Sequence, residues 1–227
     1  MANSVLVIAD SGTGKSTSIR TLDPKETFII NIANKPLPFK GWKSKYTQIT
    51  KDNHKGNLTS AATAPGIIKA MRHVNDKMGH IKTIVVDDWQ YMSSFEYFDR
   101  ANEKGYEKFT QIAANLAQVA KLPKDLRDDL TIIFLTHSED STDINGNRKI
   151  KAKTVGKMID NTLTLEGLFS IVLFGKVNKN DDGELEYGFE TQNNGENTCK
   201  SPMGMFEDKF IKNDLQFVTS CIEEYNK

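Results

Sequence analysis

Cysteine is scarce in this chain, net charge is absent, and no long apolar run occurs; each shortage removes a class of protein. Only Cys199 and Cys221 are present, far apart and without C-x-x-C or histidine spacing, so neither a disulfide framework nor a zinc site is expected and a reducing cytoplasm is the expected setting. Lys plus Arg and Asp plus Glu each number 30, so no global field draws nucleic acid or an anionic membrane to the chain, and any polyanion site must be local. No hydrophobic stretch approaches the roughly 20 residues that a membrane span requires. The opening Met1-Ala2-Asn3-Ser4 has no basic flank and no small-residue cleavage site, which points away from a secretory leader. No repeat, low-complexity tract or long linker divides the 227 residues, so a single domain over residues 1–227 is expected.

What the chain does have is alternation. Val5-Leu6-Val7-Ile8, Phe28-Ile29-Ile30, Ile84-Val85-Val86, Ile132-Ile133-Phe134-Leu135 and Ile171-Val172-Leu173-Phe174 are short continuous apolar runs, the pattern of strands buried on both faces. Between them Ile67, Ile68, Met71, Val74 and Met78 follow Pro65 at helical spacing, as do Ile112, Leu116 and Val119. The alternation predicts an α/β fold with a mainly parallel sheet covered by helices on both faces. Near the end, Asn180-Asp181-Asp182-Gly183 separates two extended pieces and predicts an antiparallel hairpin. Residues 139–153 are polar and carry Asn145-Gly146, which reads as a mobile loop or short hairpin.

The first strand runs into Ala9-Asp10-Ser11-Gly12-Thr13-Gly14-Lys15-Ser16, a near match to the phosphate-binding G-x-x-x-x-G-K-[ST], with a helix expected over residues 17–22 before Pro24. The backbone of Ser11, Gly12, Thr13, Gly14, Lys15, Ser16 and Thr17 would cradle the phosphates of a nucleoside triphosphate. Lys15 would reach the β- and γ-phosphates, and the Ser16 hydroxyl would take one position around Mg2+. Ala9 stands where the pattern has glycine; the substitution costs about 1 kcal/mol if that residue needs a positive φ and little if its backbone is ordinary. The bland alternative is a glycine-rich turn that holds no nucleotide.

Thr83-Ile84-Val85-Val86-Asp87-Asp88 is a strand ending in two carboxylates, and strand C-termini face the ligand crevice of an α/β sheet. Asp87 is the candidate Mg2+ partner. Asp88 would orient or deprotonate an attacking water, or simply cap the helix that starts near Trp89 and Gln90. His137, in Thr136-His137-Ser138, closes the next strand and is a candidate γ-phosphate sensor, or only a polar strand end. His54, His73 and His80 lack partners at ligand spacing and read as surface residues. Arg148, Lys149, Lys151, Lys153 and Lys157 crowd one stretch; Lys149, Lys151 and Lys153 would share a face if extended, forming either an anion-binding strip or a solvated face.

Ser11-Gly12-Thr13-Gly14-Lys15-Ser16-Thr17, Lys35-Pro36-Leu37-Pro38-Phe39, Val85-Val86-Asp87-Asp88, Thr136-His137-Ser138 and Lys200-Ser201-Pro202-Met203-Gly204-Met205-Phe206 together resemble bacteriophage P-loop ATPases with a minimal RecA-like core, associated with single-strand annealing and homologous recombination. The resemblance implies ATP with Mg2+, a homo-oligomer working on single-stranded DNA in a bacterial host cytoplasm, and a single-strand-binding or other replication protein as partner. It makes Lys151 and Lys153, with Arg148 and Lys149, candidates for contacting DNA or a neighbouring subunit's γ-phosphate. Ala9 departs from the family pattern and bears on turnover more than on binding. Of the aromatics Trp89, Tyr91, Phe95, Tyr97 and Phe98, the helical spacing of Tyr91, Phe95 and Phe98 favours a core face over a base-stacking platform. Two other functions stay open: a small-molecule or nucleotide phosphotransferase, which the scattered Arg20, Arg72, Arg100, Arg127 and Arg148 disfavour, and a slow nucleotide-gated loader or adaptor.

Overall fold

The apolar runs read from the sequence are neighbouring strands of one sheet in the computed structural model, which describes residues 1–142, 146, 148–155, 164–180 and 182–227. The strands are β1 (Asn3–Ala9), β2 (Thr27–Asn31), β3 (Leu58–Thr59), β4 (Thr83–Asp87), β5 (Thr131–Thr142), β6 (Arg148–Ala152), β7 (Ile171–Lys179), β8 (Leu185–Glu190) and β9 (Phe210–Lys212). Their order is β3-β2-β4-β5-β1-β7-β8-β9, with β6 paired only to the outer half of β5. From β3 to β7 every pairing is parallel, while β7-β8-β9 is antiparallel. The α-helices among the described residues are α1 (Trp42–Lys45), α2 (Ala64–Lys77), α3 (Gln90–Asp99), α4 (Glu107–Lys121) and α5 (Leu215–Tyr225).

Successive strand residues point to opposite faces, so each continuous apolar run feeds two cores. Leu6, Ile8, Ile84, Val86, Ile132 and Phe134 pack on one face against Ile67, Met71 and Val74 of α2 and Ile112, Leu116 and Val119 of α4. Val5, Val7, Val85, Ile133 and Leu135 pack on the other against Ile19 and against Leu215, Val218 and Ile222 of α5. Helix α2 starts where it does because the Thr63 hydroxyl accepts from Gly66 N at 3.3 Å and Pro65 fits the first turn.

The structure alters several expectations. Residues 17–22 form no α-helix; Ser16–Thr21 is a 3-10 turn, tightened because Ser18, Arg20 and Thr21 side chains donate to carbonyls three residues back. Of the expected core face only Tyr91 packs, partly buried, against the core: Phe95 is 37% and Phe98 69% exposed, while α3 buries Gln90, Met92 and Ser93. Trp89 takes the core position instead, 4.7 Å from the Phe134 ring centroid, and Tyr91 stacks on Phe95 at 5.4 Å. Of the two readings of residues 139–153 the described part fits the hairpin, Ser138 to Thr142 pairing antiparallel with Arg148 to Ala152; Asn145 and Lys157 lie outside the described residues. The β7-β8 turn closes with Gly183 N donating to Asn180 O at 2.9 Å, its Asp181 also outside the described residues. Among the described residues no helix is long and apolar enough to cross a membrane.

Candidate nucleotide-binding site

Strand register brings the chemistry together. Strand β5 lies between β1 and β4, so Ala9 pairs with His137, Val86 with Phe134, and across the next strand Asn31 with Asp87. The turn after β1, His137 on β5, Asp88 just past β4 and the loop after β2 therefore open on one crevice, a cavity of about 580 Å³. Lys15, Ser16, Asp88 and His137 line it; Asp87 is buried behind Ser16, whose hydroxyl donates to it.

The turn's backbone depends on glycine at Gly12 (φ 81°) and Gly14 (φ 90°), where a side chain would be strained. Thr13 Oγ1 donates to Asp10 O at 2.8 Å and braces the loop. Lys15 is 6% exposed and its Nζ donates to Ala9 O and Asp10 O, both at 2.7 Å. Burial lowers its pKa to about 8, against the opposing pull of Asp88, Asp87 and Asp10. Ala9 settles the question its sequence raised: it ends β1 in extended backbone, and among the described non-glycine residues only Asn34 and Asp88 have positive φ. Room for its methyl comes from the paired Gly175 of β7, whose own Cβ would lie 2.7 Å from that methyl.

The two carboxylates differ. Asp87 accepts from Ser16 Oγ at 2.7 Å across 71 residues of sequence; burial and neighbouring Asp88 raise its pKa to about 6 despite that bond. Asp88 is buried with φ 58°, a left-handed conformation that aspartate tolerates better than most residues. Burial pushes its pKa up, but His137, with Nε2 at 3.6 Å, and Lys35, with Nζ at 2.5 Å, outweigh burial and hold it below the usual range. It does not cap α3, whose first turn makes no side-chain cap bond. Gln90 fixes the geometry by accepting from Thr136 Oγ1 at 3.3 Å and His137 N at 3.2 Å.

Lys35 was legible only as part of a motif; its role comes from Asn31, whose amide donates to Lys35 O at 2.6 Å and accepts from Lys35 N at 3.3 Å, turning the loop into the crevice. Asn213, between β9 and α5, donates to Gly14 O at 3.2 Å and accepts from Arg20 at 2.8 Å, a partnership across roughly the whole chain that no local spacing announces. The late motif does not reach the crevice: Met205 and Phe206 are core, and Lys200 bonds the backbone of Val172. His54, His73 and His80 are exposed, and both cysteines are free thiols.

Arg148, Lys149 and Lys151 lie on the extended β6, and two of the strip's four cations meet carboxylates. Arg148 pairs with Asp140 at 2.9 Å, Lys151 with Glu139 at 3.2 Å, and Lys149 Nζ donates to Gly195 O at 2.7 Å. Lys153 returns to the crevice rim, its backbone N donating to His137 O at 2.8 Å.

A family model described as an AAA domain matches residues 1–203. The chain belongs to this family. It is thus a nucleotide-binding, ATPase-type α/β domain, and the cradle, Lys15, Ser16 and the strand-end aspartates all fall inside the matched part of the AAA domain. A comparison with curated proteins finds no match.

The donor set suits a hard divalent cation. A buried carboxylate beside a second carboxylate, hydrogen-bonded to the hydroxyl of a serine that lines the cavity, offers the anionic and neutral oxygens that Mg2+ takes while keeping part of its water shell.

Proposed function

We propose that this AAA domain binds ATP in the crevice, hydrolyses it, and couples turnover to the handling of single-stranded DNA, as phage recombination and annealing ATPases do. The observation that carries the hydrolytic part is the Ser16–Asp87 hydrogen bond beneath the cradle, with Asp88, His137 and Lys35 at one end of the cavity. The DNA part rests on the motif resemblance, and so does a homo-oligomer in which Lys151 or Lys153 serves a neighbouring site.

Lys15 exchanges its two carbonyl partners for β- and γ-phosphate oxygens, a favourable trade for a buried ammonium. Bound Mg2+, held by Ser16 and through water by Asp87, would neutralise charge developing on the β- and γ-phosphates. Asp88 accepts a hydrogen bond from the attacking water. Its depressed pKa makes it a weak base, so it aligns the water more than it removes the proton. His137 and Lys35, both already on Asp88, donate to the γ-phosphate end of the cavity. Among the described residues Arg20 is the one arginine lining this cavity, and its guanidinium is bonded to Asn213 and Thr17 O, which favours hydrolysis over transfer to a small acceptor under an arginine lid.

The deciding experiment measures phosphate release from ATP with and without a thymidine oligonucleotide. Stimulated release supports the proposal. Transfer of phosphate to a small acceptor would replace it with a phosphotransferase, and tight binding without turnover with a nucleotide-gated adaptor.

A further inference from the structure

Charge in this neutral chain is unevenly placed. Between residues 27 and 68 the sequence has Lys35, Lys40, Lys43, Lys45, Lys51 and Lys55 against Asp52 alone, so compensating negative charge lies elsewhere. All of this segment belongs to one side of the fold: it leaves the C-terminal end of β2, forms α1, and returns through β3, the edge strand. Residues 47–49 lie outside β3, since Gln48 bridges Leu58 in parallel while β2 holds the other side of Leu58.

The edge is built rather than loose. Asn57 donates to Lys45 O at 3.0 Å and Pro24 O at 2.8 Å, Asn53 donates to Gln48 O at 2.9 Å, and a Cβ at Gly56 would lie 2.4 Å from Ile49 N. Lys40, Lys43, Lys45, Lys51 and Lys55 are exposed, and no ion pair among the described residues involves them. Lys43 lies over the half-buried Trp42 ring at 5.8 Å from its centroid. The hairpin strip, by contrast, spends two of its four cations on Asp140 and Glu139.

We propose that this β3 edge, from Lys40 to Lys55, is a binding surface for the phosphate backbone of single-stranded nucleic acid, and that it outranks the β5-β6 hairpin in that role. The inference rests on the DNA-handling reading above and gives it a place. Repeated, unpaired, exposed ammonium groups on a fixed loop match a ligand with repeating charge, and contacts to backbone alone read no sequence. The segment also begins at Lys35, which touches Asp88, so a strand laid along the edge abuts the crevice.

The test is anisotropy of a dye-labelled thymidine oligonucleotide across a salt series. Wild type, a Lys40→Ala/Lys43→Ala/Lys45→Ala variant and a Lys149→Ala/Lys153→Ala variant are compared, with ATP binding and melting temperature as controls. We expect the edge variant to keep its fold and ATP affinity, lose affinity for the oligonucleotide on the order of tenfold or more at low salt, and flatten the log–log salt slope by about 2, at roughly 0.7 per phosphate contact. The hairpin variant should keep the wild-type slope. An unchanged slope in a folded edge variant, or a loss confined to the hairpin variant, overturns the proposal while leaving DNA binding intact. Failure of wild type to bind the oligonucleotide at any salt overturns the DNA reading itself, and capture of polyglutamate instead would assign the edge to an acidic protein.

Discussion

Asp88 combines a left-handed backbone, burial and two side-chain partners, Lys35 and His137, each of which constrains what can stand there. Asparagine also tolerates positive φ, so Asp88→Asn should keep the fold and nucleotide affinity while turnover falls by about 100-fold or more. Full turnover with a lowered melting temperature would show that the carboxylate serves structure alone. Lys35→Ala removes a cation from the γ-phosphate end of the cavity, so affinity for ATP should drop several-fold more than affinity for ADP; equal losses in a titration of both nucleotides would refute that placement. Ala9 and Gly175 make a coupled pair: Gly175→Ala alone should destabilise by about 1–3 kcal/mol, and adding Ala9→Gly should recover most of it. Additive losses in denaturant melts would mean that the two positions do not share the space.

At the level of elements, the parallel strands and both long helices were legible because apolar runs and helical spacing are local signals, as in Ile84-Val85-Val86 and Ile67, Met71 and Val74. The order of the strands was not, since inserting β5 between β1 and β4 is a choice among packings that no local pattern encodes. The Ser16–Asp87 bond depends on that order, so the residues were legible and their contact was not. Where side chains override period, local reading fails: Trp89 takes the core position expected of Phe95 and Phe98, and the serine, arginine and threonine of Ser16–Thr21 tighten that turn into a 3-10 helix. Asn213 joins the C-terminal elements to the cradle through Gly14 O and Arg20. Its replacement by alanine should weaken ATP and ADP alike, by about 0.5–1.5 kcal/mol for the loss of partly exposed hydrogen bonds, and calorimetry showing unchanged affinity for both would sever that link.

For the whole molecule, net neutrality conceals a separation of charge between the β3 edge and the rest of the surface, so salt should affect ligands of that edge far more than nucleotide binding in the crevice. We propose that one crevice binds ATP and hydrolyses it through Asp88. That proposal is tested most directly by measuring ATP affinity and phosphate release in parallel, with Mg2+ present, for wild type, Lys15→Ala and Asp88→Asn. Wild type should bind ATP and release phosphate, Lys15→Ala should do neither while remaining folded, and Asp88→Asn should bind with near wild-type affinity but release phosphate slowly. Undiminished phosphate release by a folded Lys15→Ala protein would contradict the proposal.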